Sequence, residues 1–321
     1  MVDEILKNIE KYSTIIILRH QNPDPDAIGS QIALATMIRE AYPQKKVYAT
    51  GVDLSVLDWI GKMDTVSQET YQDSLVIAVD TANARRIDNN GDYKNADMII
   101  KIDHHPNVDP FADINWVDES FSSCAEMIYS LTEKFAPFKL SKKSAYCLYA
   151  GLIGDTNRFL YAETTYKTLN VAAQLAKTGI NISEISLHED EMSARVARLE
   201  AYILDNLKIT DSGFGYIIIR KDKLDQFNLD DGELDHVVPL IGRINNVNNW
   251  IVVSEKVLNQ FRVNLRSKNV PINGVAEKFG GGGQPLASGV YVGSIDQVEE
   301  LIRDMDSLNT PKNGCKKSSS N

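Results

Sequence analysis

The chain has 321 residues, 43% hydrophobic and 24% charged, with a formal net charge of -10. That length exceeds one compact core of ordinary size and predicts two domains of a globular protein. The acidic balance argues against a groove for long nucleic acid, because such grooves neutralise phosphates with basic side chains. No apolar run approaches the roughly 20 residues of a membrane-spanning helix, so no membrane partner is expected. The start, Met1-Val2-Asp3-Glu4, lacks the basic and apolar stretches of a signal peptide. Cys124, Cys147 and Cys315 are widely spaced and suggest neither a disulfide framework nor a zinc motif. A cytoplasmic location is the expectation.

In chain order, residues 3–12 read as a short amphipathic helix and 14–18 as a buried strand, apolar without alternation. A loop carries His20, Asp24 and Asp26. Residues 27–41 have helical spacing, with Ile28, Ile32, Leu34, Ala35 and Ile38 inward. Residues 46–50 predict a strand, 54–60 a helix, and 75–79 a strand ending at Asp80. Residues 98–102 form the next strand and run into Asp103-His104-His105. Helices then dominate: one from Ser122 or Ser123 with Glu126 as a capping-box partner, one over 141–155, and one over 165–177 stopped by Gly179. A charged helical stretch over 184–206 joins the halves. Beyond it, candidate hairpins pair 208–210 with 216–220 and 251–257 with 261–265. A helix after Pro271, the glycine run 280–283 and a helix over 295–308 follow. The tail from Thr310 has no apolar pattern and reads as disordered. The expected organisation is a metal-binding domain (1–185), a linking helix (186–206), a smaller substrate domain (207–309) and the tail (310–321). Strands alternating with helices make the fold α/β, its first sheet largely parallel.

Four segments place ligand-type residues just after apolar elements: His20, Asp24 and Asp26; Asp80; Asp103, His104 and His105; and Asp155. In open parallel sheets ligands gather outside the carboxyl ends of the strands, so these segments should converge. Carboxylates with imidazoles and no thiolate favour hard or borderline divalent ions, and Mn²⁺ suits such a mixture. Crowded carboxylates raise one another's pKa, which two divalent cations would offset. A metal pair about 3.5–4 Å apart can bind a phosphoryl oxygen and turn water into a nucleophile. The implied reaction is hydrolysis of a phosphate ester. Taken singly, the residues have plainer explanations. Asp26 could cap the helix that starts at Ala27, Asp80 or Asp155 could be surface acids, and adjacent histidines occur in loops. Joint placement favours a metal site and leaves its substrate open.

His20-x-x-x-Asp24-x-Asp26-Ala27-Ile28-Gly29-Ser30, Asp80, Asp103-His104-His105 and Gly154-Asp155-Thr156 together resemble the DHH phosphoesterase superfamily. Arg262, Leu265-Arg266-Ser267 and the glycine run resemble its associated C-terminal domain. The resemblance covers nearly the whole chain, and the short layout is most similar to the nano-RNase and pAp phosphatase branch. It implies an active site in a cleft between the domains. One metal would be held by His20, Asp24 and Asp80. The other would be held by Asp26, Asp80, His104 and Asp155, with Asp80 bridging. Asp103 would support His104, and His105 would face the scissile phosphate or protonate the leaving oxygen. A metal-activated water, not a side chain, would be the nucleophile. Arg158, Arg262, Arg266, Gly281, Gly282, Gly283, Gln284 and Ser288 would contact substrate phosphates.

Two positions depart from the family pattern: Gln284 stands where histidine is usual, and Asn157 where glycine is common. Glutamine cannot carry positive charge, so the departures are expected to bear on substrate binding and turnover, not on the metal centre. The expected activity is Mn²⁺-dependent hydrolysis of short oligoribonucleotides from one end, and of 3′-phosphoadenosine 5′-phosphate to AMP. The alternatives are a cyclic- or linear-dinucleotide phosphodiesterase, a pyrophosphatase, or a non-catalytic nucleotide-binding protein. The reading leaves room for a homodimer. His188 and His236 are read as surface or packing histidines, and Trp59, Trp116 and Trp250 as core or edge aromatics. Cys147 is read as a small buried hydrophobe.

Overall fold

The computed structural model describes residues 1–89, 91–229 and 233–309. The disordered tail expected from Thr310, and the His236 side chain, lie outside the described residues. The chain divides into two units, Met1–Glu191 and Met192–Asn321.

The first unit is built on a five-stranded parallel sheet in the order β2-β1-β3-β4-β5. The strands are β1 (Thr14–Leu18), β2 (Lys46–Ala49), β3 (Leu75–Val79), β4 (Met98–Asp103) and β5 (Ile114–Val117). β3 throughout, and β1 after Thr14, are apolar and buried because both faces of the sheet are covered. Ile15 and Ile17 join the main core, while Ile16 and Leu18 turn to a smaller cluster with Tyr71, Val76, Ile87 and Tyr93. This is the two-residue period of a strand serving two cores. The sequence reading missed β5, a short edge strand whose alternating burial leaves little apolar run to detect. It also expected a helix over 54–60, where only a 3₁₀ turn forms at Ser55–Leu57.

Helix α1 (Val2–Lys11) precedes β1, and α2 (Pro25–Ala41) follows it. Asp26 through Ile38 of α2 are all buried, so this helix has no solvent stripe and the expected five inward residues understate its burial. Helices α3 (Cys124–Lys134), α4 (Lys142–Asp155), α5 (Tyr166–Ala176) and α6 (Ile182–Asp190) complete the unit. α2 and α4 cross at glycines. A Cβ on Gly29 would stand 2.4 Å from the Cys147 carbonyl oxygen, and one on Gly151 2.7 Å from Asp26 Oδ1. The two helices that carry Asp26 and Asp155 therefore lie backbone against backbone.

The single helix expected over 184–206 is two helices, α6 and α7 (Ala194–Asn206). Ser193 caps α7 by accepting from Val196 N. The division between the units falls in this break.

The second unit carries a mixed six-stranded sheet, ordered β10-β11-β9-β8-β7-β6. Its strands are β6 (Lys208–Ile209), β7 (Phe214–Ile219), β8 (Asn249–Val257), β9 (Gln260–Ser267), β10 (Gly282–Gln284) and β11 (Ala287–Val292). Both expected hairpins form, β6 with β7 and β8 with β9. One face packs Ile217, Ile219, Trp250 and Val252 against Val196, Leu199 and Ile203 of α7. The other packs Phe214, Ile251, Val253 and Val263 against Val298, Leu301 and Met305 of the last helix, Ile295–Ser307. Each face buries an apolar stripe, which is the main favourable term for the unit.

Candidate metal centre

The site begins with a buried ion pair that the sequence reading did not find. Arg19, fully buried at the end of β1, pairs with Asp88 and donates to the carbonyl oxygens of His20 (3.0 Å) and Val52 (2.6 Å). It fixes the backbone on which His20 sits. His20 Nδ1 lies 2.8 Å from the Gln21 carbonyl oxygen. Its Nε2 faces Asp24 Oδ2 and Asp80 Oδ2, each at 3.4 Å.

Asp24, not Asp26, caps α2: its carboxylate accepts from Ala27 N at 2.9 Å, with Pro25 in the first turn. The helix starts two residues earlier than expected, which frees Asp26 for another role. Asp26 is fully buried and accepts from Cys124 N (2.6 Å) and Ala125 N (2.9 Å), the first amides of α3. The positive end of that helix thus holds a carboxylate inside the core.

Asp80 follows β3 in the left-handed region, at φ 49°, which is costly for a residue with a Cβ. Its N–H donates to the Ile102 carbonyl oxygen at 2.9 Å. The result is a carboxylate turned two ways. Oδ2 faces His20, while Oδ1 lies 3.5 Å from both His104 Nε2 and His105 Nδ1. Asp155, at the end of α4, brings Oδ2 within 3.0 Å of His104 Nε2, and Asp26 Oδ2 stands at 4.0 Å. Three overlapping groups result, each with ligand atoms within 4.8 Å of one another: His20, Asp24 and Asp80; Asp80, His104 and His105; Asp26, His104 and Asp155.

Two observations show that this donor set suits a cation. Asp80 Oδ1 and His104 Nε2 are buried and make no hydrogen bond. Buried polar atoms are ordinarily paired, so ligand atoms facing a common point without bonding to one another leave a place for a positive charge. The titration behaviour agrees. Burial pulls His20 and His104 down, yet the flanking Asp24, Asp80 and Asp155 carboxylates outweigh it and raise them to about 10 and about 12. Burial and the charges of Asp80 and Asp155 push Asp26 well above the carboxylate range. Without a cation, the acids draw protons to the site; a bound cation would displace them. The arrangement is compatible with divalent metal binding.

Asp103 does not support His104 as expected. Its Oδ1 lies 2.8 Å from His105 Nδ1, and its Oδ2 3.3 Å from the buried Lys101 Nζ. Lys101 in turn donates to the Ala82 carbonyl oxygen at 2.8 Å. The reason is geometric: Asp103 is the last residue of β4 and the chain turns back on it within two residues, as the His105 N–H also shows by donating to Oδ1.

Of the expected substrate residues, Arg158 ion-pairs with Asp190. It sits in a left-handed run with Asn157 and Phe159, at φ 46°, 57° and 69° in chain order. Asparagine tolerates that region better than most residues, which fits its standing where glycine is common. In the second unit, Arg266 Nη1 donates to the Leu265 carbonyl oxygen, and Ser288 Oγ to that of Gln284. Strand pairing sets Ala287 opposite both Arg266 and Gln284, and Arg262 is four residues before Arg266 on β9. The end of the glycine run, with Gln284, forms strand β10 (Gly282–Gln284). A Cβ on Gly281 would stand 2.3 Å from the Gly289 carbonyl oxygen, so packing against β11 already demands glycine there.

A parallel α/β unit with this arrangement at its strand ends, followed by such a second unit, belongs to the DHH phosphoesterase family, whose members are hydrolases. The chain matches "DHH family, N-terminal domain" over residues 14–152 and "DHHA1 domain" over residues 213–309. It is 41% identical over 310 residues to the bifunctional oligoribonuclease and PAP phosphatase NrnA of Bacillus subtilis, covering 96% of this chain and 98% of that one. It is 42% identical over 306 residues to a probable protein of the same name from Streptococcus mutans, covering 95% and 97%. An exopolyphosphatase-related protein from Bacteroides fragilis shares the fold, with a TM-score of 0.86 at 24% identity over 96% of this chain and 97% of that one. No helix among the described residues is long and apolar enough to cross a membrane.

Proposed function

We propose that this protein is a cytoplasmic, Mn²⁺-dependent phosphoesterase that hydrolyses short oligoribonucleotides from one end and converts 3′-phosphoadenosine 5′-phosphate to AMP. The carrying observation is Asp80, whose two carboxylate oxygens face two separate ligand groups. Full-length likeness to proteins named for these two activities supports the substrate class.

His20, Asp24 and Asp80 would hold one cation, and Asp26, Asp80, His104 and Asp155 the other. When bound, the pair would supply positive charge to a phosphoryl oxygen and make water a nucleophile at neutral pH. The chain's own residues do the rest. Asp103 orients His105 through Nδ1, leaving Nε2 for a substrate oxygen. Burial lowers the His105 pKa, but Asp103 and Asp80 raise it above the ordinary value, which suits a proton donor to the leaving oxygen. Arg158, Arg262, Arg266, Ser288, Gln284 and the glycines 281–283 would bind substrate phosphates.

The test is a panel of di- to penta-ribonucleotides, 3′-phosphoadenosine 5′-phosphate, cyclic di-AMP and pyrophosphate, with Mn²⁺ and with metal replacement. Release of mononucleotides from the short RNAs and of phosphate from the bisphosphate is expected. Cleavage of cyclic di-AMP or pyrophosphate alone would overturn the reading. Gln284 favours a second reading, nucleotide binding without turnover. Tight binding with no hydrolysis of any panel member would establish it.

A further inference from the structure

We propose that Arg86 is a phosphate-binding residue of this centre, gripping an anionic oxygen of the substrate on the His20 side; the proposal rests on the phosphoesterase reading. Arg86 lies in the turn after β3 and Asp80. Its backbone is fixed. The Arg86 carbonyl accepts from Gln21 N at 2.6 Å, Asp88 N donates to the Arg19 carbonyl at 2.9 Å, and His20 bridges to Ile87. The loops after β1 and β3 are therefore zipped together, with the Arg86 side chain exposed at their edge.

The guanidinium reaches the centre without being spent there. Its Nη2 lies 3.2 Å from His20 Nδ1. That nitrogen already faces the Gln21 carbonyl oxygen at 2.8 Å. A carbonyl only accepts, so Nδ1 carries its proton and offers Arg86 no lone pair. The same tautomer leaves Nε2 to face Asp24 and Asp80, as a metal ligand must. Nor do the acids take the charge: among the described residues, no carboxylate lies within ion-pair distance of Arg86. Arg158, three residues after Asp155, is paired with Asp190.

A guanidinium held beside a metal ligand, and unneutralised, would repel bound cations. An incoming anion reverses that balance by bridging cation and guanidinium. Phosphate suits both, because its oxygens accept the parallel N–H bonds of an arginine fork.

The test measures binding of inorganic phosphate to the Mn²⁺-loaded protein by calorimetry, beside Mn²⁺ binding alone and the substrate KM. Arg86→Gln should weaken phosphate binding and raise KM about tenfold or more, as loss of a charge-assisted bond does. Mn²⁺ affinity should not fall, and relief of the guanidinium's repulsion would raise it if anything. Arg86→Lys should recover part of the loss, and Arg85→Gln, at the exposed neighbour, should cause none. The proposal is overturned if the wild type binds no phosphate, if Arg86→Gln binds it as well as wild type does, or if Arg85→Gln weakens it equally. It is also overturned if Arg86→Gln weakens Mn²⁺ binding but not phosphate binding at saturating Mn²⁺, since Arg86 would then only support His20. Phosphate binding that depends on Arg86, in a protein that cleaves nothing in the panel, would uphold this proposal and sink the phosphoesterase reading.

Discussion

Asp103 holds His105 and not His104, with Oδ1 2.8 Å from Nδ1 of the second histidine. An ionised carboxylate only accepts, so the proton on Nδ1 is fixed and Nε2 is the working nitrogen. Asp103→Asn keeps the shape but removes the charge that holds this ring. Turnover should fall about 10–100-fold, as for other residues that orient a working side chain from behind. Mn²⁺ affinity, measured by calorimetry, should stay near the wild-type value. A loss of Mn²⁺ binding that accounts for the whole drop in rate would make Asp103 a metal ligand instead.

The Arg19–Asp88 pair gives a prediction about stability. Arg19 is fully buried, and burial lowers its pKa while Asp88 opposes that fall. Asp88→Ala would leave a buried guanidinium with carbonyl oxygens alone. Breaking one side of a buried pair costs about 3–5 kcal/mol, because the remaining charge has lost its partner. Chemical denaturation should show that loss, and Mn²⁺ affinity should fall with it, since Arg19 also holds the His20 carbonyl. A loss below about 1 kcal/mol would place the pair with ordinary surface bridges.

These two pairs also show what the sequence made legible. The acids and imidazoles could be found because each follows an apolar strand or closes an apolar helix, and a parallel sheet gathers such ends on one side. Their partners could not. Arg19 follows the apolar run Ile15–Leu18 just as a surface arginine would, and Lys101 sits in β4 like any strand lysine on an exposed face. Only the packing of other elements over those positions buries them. Asp24 and Asp26 were both legible as ligand types, but which one caps α2 depends on α3 arriving to take Asp26. Asp103 was assigned to the wrong histidine because two adjacent rings point in different directions, and spacing says nothing about χ angles. In the second unit, the glycine run was visible, while its need to pack against β11 was not.

Glu255 predicts how acid affects the second unit. It accepts from Asn259 N at 2.9 Å and Lys221 N at 3.1 Å, tying the β8–β9 turn to the first residue of the helix Lys221–Phe227. These backbone bonds lower its pKa in the folded state. A depressed carboxylate contributes stability that is present above its unfolded pKa, about 4.3, and is lost as pH falls through the folded value. Glu255→Gln should therefore lower the melting temperature at neutral pH, and the gap to wild type should close in acid below both values. A gap of constant size across that range would show that charge at this position is irrelevant.

Gly151 sets two opposed effects against each other. Alanine in a helix interior is favoured over glycine by about 1 kcal/mol. At this position, however, the added Cβ would meet Asp26 Oδ1 at 2.7 Å, the Ala125 Cβ at 3.0 Å and the Asp26 Cα at 3.1 Å. Two of these three are not the far ends of flexible side chains, and Asp26 cannot swing away without leaving the amides of Cys124 and Ala125. Overpacking a tight core costs about 1–3 kcal/mol, so the clash outweighs the helix preference. Gly151→Ala should be less stable to denaturant than wild type, and its Mn²⁺ affinity should drop more than that of an exposed control such as Lys177→Ala. Unchanged stability with unchanged Mn²⁺ binding would show that α2 and α4 can part without disturbing Asp26.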